Sequence, residues 1–351
     1  MLKHQPRIAG RSAVKNLFLG WALLVGTAVG LLAEVVKGPT VEYQELAFYP
    51  KRWVEKDAPS EMESWVGKHV AFLALPGKFD EKVMSDFVGV LDDGWETYLD
   101  FTGKAPRARK TVEGRAPIAA VPGNGLTCGA GCGFVGVTGI EVQGFYRSHY
   151  KTIKKNVKAV PHLYFYEMGR NFFTFGPRHD CFRTGFAVFM RYVCLDKLEI
   201  KDGDKRTRKV IEKAIDQYAK LRLEFLPTFT NAYGLGEKKN RLKDRPTDQP
   251  VMYASAMLKL HQELGDDWVR AFYRQVSDLP QGNGQDPAGA RLQGLGWYLA
   301  ASVAARRDLS EFFVKQWRFP LTEKEAAVLA DVDWEEEGLA AGDLVKKLTS
   351  S

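Results

Sequence analysis

Histidine and cysteine are scarce in this chain, at six and four among 351 residues. The histidines are His4, His69, His149, His162, His179 and His261, and no two of them stand four residues apart. Two histidines on successive turns of one helix face are a frequent zinc grip, and that grip is missing. No repeat of fixed period occurs, which excludes solenoids and propellers. There is no helix-turn-helix, zinc-finger or RNA-binding signature. The net charge of +7 is a mild excess for this length, so nucleic acid is not an expected partner. Such an excess suits attraction to anionic glycans, peptidoglycan or lipid headgroups. What is present is a packed globular composition, 45% hydrophobic and 12% aromatic.

One apolar run is long. It extends from Leu17 to Ala33, interrupted only by glycines and Thr27, and follows Lys3, Arg7, Arg11 and Lys15. Its length lies between a signal-peptide core and a spanning helix. Residues 1–15 are therefore read as a basic cytoplasmic leader and 16–36 as a signal peptide or signal anchor. Ala28-Val29-Gly30 offers a small-residue cleavage site. The basic side lies upstream and Glu34, Glu42 and Glu45 downstream, so the body is expected outside the cytoplasm, secreted or held to a membrane through residues 17–36. Four cysteines fit such a compartment. Cys128 and Cys132 form one local group, Cys181 and Cys194 another, and two short-range disulfides are an available pairing that sequence cannot fix.

Residues 37–65 are polar with scattered aromatics and read as a linker. His69 to Leu75 is a short apolar run before Pro76-Gly77, hence a strand. Asp80 can cap a helix whose apolar positions are Val83, Met84, Phe87, Val88, Leu91, Trp95 and Tyr98. Lys104 to Arg115 is a basic loop. Ile118 to Val121 and Phe134 to Val142 read as two further strands, separated by a Gly- and Cys-rich loop. Beyond residue 163 the pattern is helical, with segments at Leu163–Phe173, Thr184–Leu195, Val210–Leu221, Tyr253–Leu264, Trp268–Val276, Leu292–Ala304 and Leu309–Trp317. The fold class is α+β, with a sheet-containing lobe over 66–180, a helical lobe over 181–335 and a tail over 336–351.

Tyr166-Glu167-Met168-Gly169-Arg170-Asn171-Phe172 reads like His-Glu-Met-Gly-His-Asn-Phe with both histidines replaced. Thr184-Gly185-Phe186-Ala187 is similar to a Glu-Gly-Phe-Ala segment. Gly136 to Val142 resembles a glycine-rich edge strand, and Ala301 to Pro320 a pair of closing helices. Together these resemble the gluzincin zinc metallopeptidases, including the plant basic secretory proteins, over roughly residues 66–330. The resemblance implies a zincin-like fold and a cleft beside the Glu167 helix. It assigns the three zinc-ligand positions to Tyr166, Arg170 and Thr184 and the general-base position to Glu167. Gly136, Gly139, His162 and Asn171 are candidates to line that cleft.

The departures fall on the chemistry. A phenol, a guanidinium and an aliphatic hydroxyl are poor zinc donors, and a lone carboxylate has no metal-bound water to activate. Arg170, three residues from Glu167, could pair with it and replace the cation by an internal ion pair. No metal or other cofactor is expected unless His162, His179 and Asp180 form a separate zinc site. Lys151, Lys154, Lys155 and Lys158, and the stretch Lys238 to Arg245, read as solvated basic faces. Ser255 lacks a nucleophile-elbow pattern, and His261 reads as a structural histidine. The expected function is that of a non-catalytic pseudopeptidase binding a protein, peptide or anionic glycan. The alternatives are a hydrolase using Glu167 as acid or base, and a structural envelope protein.

Overall fold

The strands over 70–74 and 116–120 are apolar on both faces because both faces are covered. The computed structural model describes residues 35–176, 180–201, 203–229, 249–280 and 286–350, with only the backbone for Asp180, Cys181 and Gln249. The Leu17–Ala33 run, His179 and the Lys238–Arg245 stretch lie outside those residues. Strands β1 (Val36–Lys37), β2 (Val41–Glu42), β3 (Glu61–Val66), β4 (Val70–Ala74), β5 (Ala116–Ala120), β6 (Gly131–Gly133) and β7 (Ile140–Val142) form a mixed sheet ordered β1-β3-β4-β5-β7-β6, with β2 also on β3. The β4–β5 and β5–β7 pairs are parallel and the others antiparallel. Along β4, Val70, Phe72 and Ala74 join the large core on the helical side, while Ala71 and Leu73 face a smaller core with Tyr43, Trp53 and Met62. A strand covered on both sides loses the in–out alternation and reads as a continuous apolar run.

Residues 37–65, expected as a linker, form that second layer. They carry β2, the short helix α1 (Pro50–Glu55) and β3, and they bury Tyr43 and Trp53 against the sheet. The aromatics of this stretch are too sparse to show a period, so sequence reading passes over them.

Helix α2 (Glu81–Thr102) starts where Asp80 accepts the Val83 amide and stops at left-handed Gly103. It packs Met84, Phe87, Val88 and Leu91 into the core. Its buried Asp92 accepts the amides of Lys68, His69 and Val70 at 2.7, 2.7 and 3.0 Å, fixing the β3–β4 hairpin. The expected strand over 134–142 is shorter. Only Ile140–Val142 pairs as β7, and its antiparallel neighbour β6 falls inside the Gly/Cys-rich loop.

The rest is helical: α3 (Tyr150–Lys155), α4 (Leu163–Phe172), α5 (Asp180–Lys197), α6 (Lys205–Leu221), α7 (Phe225–Phe229), α8 (Gln249–Ser277), α9 (Pro287–Ala305), α10 (Glu323–Ala330) and α11 (Ala341–Thr349). Gly265 breaks α8 with φ 78°, where the pattern had placed a helix end. The stretch expected as a tail, 336–351, carries α11, which buries Ala341, Leu344 and Val345. Residues Ala33 to Ser351 form one compact unit.

Cys128 and Cys132 are joined by a disulfide, with Cα atoms 5.7 Å apart. The second expected disulfide is excluded. Cys181 and Cys194 lie on the single helix α5, 13 residues apart (194 − 181), which at 1.5 Å per residue is about 20 Å. A bridge tolerates no more than about 7 Å between Cα atoms. Cys194 is a free, buried thiol whose pKa burial pushes well above its usual value.

Trp53 is 1% exposed. Trp53→Ala is expected to cost about 3–5 kcal/mol of stability in urea unfolding, whereas an unpacked linker would give no measurable change.

Candidate functional site

Helix α4 supplies the site and is held from two sides. Gly169 faces α5: a Cβ there would lie 2.8 Å from the Ala187 Cα, so only glycine permits this approach of the two helices. On the other side lies β6. A Cβ on Gly133 would fall 2.4 Å from the Glu167 carbonyl oxygen, and one on Gly131 would fall 2.6 Å from Glu167 Oε1. The strand alternation sends both glycines toward α4, and Cys132 between them is free to bridge Cys128.

Glu167 is 4% exposed. Burial pushes its pKa up to about 7, against the smaller opposing pull of the Arg170 charge and the Gly133 amide. The expected Glu167–Arg170 ion pair does not form. Arg170 Nη1 instead donates to Thr184 Oγ1 on α5 at 2.7 Å. β6 lies against both residues, since a Cβ on Gly133 would also fall 2.9 Å from the Arg170 Cβ; from there the guanidinium reaches across to α5.

The three positions implied as ligands are thus gathered where α4 meets α5. A zinc ion there would need lone pairs from all three. Arg170 has none to give, carries a fixed charge, and already donates to Thr184. A neutral phenol is a poor zinc donor. This donor set does not fit zinc. Of the separate site considered from sequence, His179 and the side chain of Asp180 lie outside the described residues. His162 Nδ1 sits 3.1 Å from Arg191 Nη1 and accepts from it. Among the described residues, no group of three or more His, Cys, Asp or Glu side chains is disposed to hold a metal.

Sequence reading missed Arg191. It is 9% exposed, donates to Tyr192 OH at 2.7 Å as well as to His162, and stacks its guanidinium 5.9 Å from the Tyr166 ring centre. It stands seven residues, two helical turns, after Thr184 on α5, and that spacing was a readable signal. One of the expected cleft residues serves the interior. Asn171 is fully buried, and its Nδ2 donates to the carbonyls of Phe134 and Gly139 at 2.8 and 3.1 Å, closing the turn before β7. Gly136 does line an opening, a cavity of about 650 Å³ at the C-terminal end of α4 with Lys104, Arg107, Val137 and Phe173. His261 contacts Asp266 at 2.7 Å, and buried Ser255 accepts the Ile215 amide, both as structural groups.

No protein-family model and no curated protein matches the chain. Among solved structures it is similar to the crystal structure of a functionally unknown conserved protein mutant from Bacillus anthracis str. Ames, with TM-score 0.51 and 8% identity. The match covers 81% of this chain and 56% of that one, so the chain spans little more than half that protein's length. At this identity the likeness concerns the fold alone.

The Glu167 carboxyl titrates higher in the folded protein than its ordinary 4.5. Its contribution to stability is fully present below pH 4.5 and is lost as the pH rises through about 7. The gap corresponds to roughly 3 kcal/mol. Glu167→Gln is expected to match wild type near pH 4 and to be the more stable protein at pH 8, by urea unfolding at both. A stability difference independent of pH would contradict this account.

Proposed function

We propose that this chain is an exported or membrane-anchored protein built on a metallopeptidase-like frame of the gluzincin kind, and that it binds rather than cuts. Its partner would be a protein, a peptide or an anionic glycan. The single observation that carries the reading is the Arg170–Thr184 hydrogen bond. Two positions that would each present a lone pair to a divalent cation instead satisfy one another, and one of them brings positive charge of its own. Arg191 adds a second guanidinium to the same helix–helix seam. A seam of this kind repels a metal ion and attracts acidic groups. The expected edge strand over 136–142 is not an edge, because its paired part β7 lies between β5 and β6; the marginal strand against α4 is β6, and α5 follows α4 with the third position.

A second reading rests on Glu167. A carboxyl that titrates near neutrality inside the fold is suited to proton transfer. Under this reading the chain is a hydrolase with altered chemistry, and Glu167→Gln would abolish an activity that wild type shows in peptidase or glycosidase screens. Equal activity of both proteins, or none in either, would remove it.

The frame itself can be tested by rebuilding the ligands. The triple variant Tyr166→His, Arg170→His, Thr184→Glu is expected to retain about one zinc per chain after equilibrium dialysis, and wild type to retain far less. A folded triple variant that gains no zinc would count against the metallopeptidase-like frame. Stoichiometric zinc held by wild type through positions 166–184 would sink the non-catalytic reading.

A further inference from the structure

The parallel strands β4, β5 and β7 end side by side, and the segments 121–124 after β5 and 143–147 after β7 turn along one opening. Between the departing segments is a cavity of about 420 Å³, well within the range of small-molecule sites. Crevices at the carboxyl ends of parallel strands are where open sheets place ligands. This one is separate from the α4–α5 seam. It touches α4 only at Leu163, and the Ala130–Gly131 segment divides it from Glu167.

The walls are fixed before any ligand arrives. Tyr146 OH accepts the Leu75 amide at 2.7 Å and donates to the Ala120 carbonyl at 3.1 Å, tying the ends of β4 and β5 together. Its ring remains 39% exposed, as a wall of the cavity. The opposite wall is the 122–130 loop. Arg52 donates to the carbonyls of Gly125 and Thr127, the Cys128–Cys132 disulfide anchors the far end, and the Gln143 amide donates to the Ala130 carbonyl at 2.8 Å. His149 Nδ1 pairs with the buried Tyr164 hydroxyl at 3.2 Å. Burial and the nearby Arg147 charge lower its pKa, so it lines the cavity as a neutral ring.

The polar lining is one-sided. It offers the Arg147 guanidinium and the Asn124 and Gln143 side-chain amides, and no carboxylate. Arg147 makes no ion pair with any described residue. The backbone amides of Gly123 and Asn124, on the same loop, donate to no acceptor among the described residues. A cluster of donors with a fixed positive charge and no competing carboxylate calls for an oxyanion.

We propose that this cavity binds a small ligand bearing a carboxylate or a phosphate monoester. Arg147 and the Gly123–Asn124 amides hold the charged group, and the ligand's body lies against Tyr146, Pro122 and Leu163. The inference goes beyond the binding function proposed above and uses none of its residues.

Three probes share one body and differ in the head: benzoate, phenyl phosphate and benzamide. Isothermal titration of the full chain is expected to show one-to-one binding of at least one anion, about tenfold or more tighter than benzamide. The tighter anion identifies the head group. Arg147→Gln alters an exposed side chain outside any ion pair, so its circular dichroism should match wild type while anion affinity falls about tenfold or more. Anions that bind no better than benzamide, or an Arg147→Gln protein that binds them undiminished, would overturn the proposal.

Discussion

The approach of β6 to one turn of α4 sets the spacing of everything around the Glu167 carboxyl. Gly133 lies against the Glu167 carbonyl and Gly131 against its side chain, at separations that any Cβ would violate. That contact removes water from the carboxyl and raises its pKa. Gly133 lies as closely against the Cβ of Arg170, whose guanidinium extends past β6 to Thr184 on α5. The disulfide to Cys128 is a consequence of the same geometry, since glycines on the helix face leave Cys132 on the other.

Charge in this part of the molecule is carried by two guanidinium groups. Arg170 and Arg191 occupy the seam between α4 and α5, each spending donors on neutral partners: a threonine, a tyrosine and a histidine. Glu167, whose pKa burial raises to about 7, is one nearby carboxyl. Asp204 is another, held low first by its hydrogen bonds with Thr207 and further by the Arg191 charge. The Arg191 guanidinium also lies over the faces of Tyr166 and Tyr192.

Much of the framework was legible because its signals are local. Asp80 followed by a 3.6-residue apolar period marks α2 and its cap, and Gly265 marks the break in α8. The Tyr166–Arg170 stretch stood out through its resemblance to a metallopeptidase motif. What escaped lies where the physics is not local. Gly131-Cys132-Gly133 has no hydrophobic period, and its strand character comes from pairing with β7 and pressing on α4. Tyr43 and Trp53 show their purpose only when the back of the sheet needs covering. Cys181 and Cys194 look like partners when counted along the chain, yet a helix between them carries them far apart. The direction of Arg170 depends on which neighbour occupies each face of α4, and no spacing rule contains that.

Both margins of the sheet are built from very short strands: two residues each in β1 and β2, three in β6. Margins this brief offer few free main-chain groups, which guards against edge-to-edge association between molecules. The same brevity limits how a bound chain can be gripped. An extended peptide laid along β6 finds only about one or two ladder hydrogen bonds, too few for recognition by strand addition. Any partner of this fold would have to be distinguished by side chains and cavity shape, not by the main chain of the sheet margins.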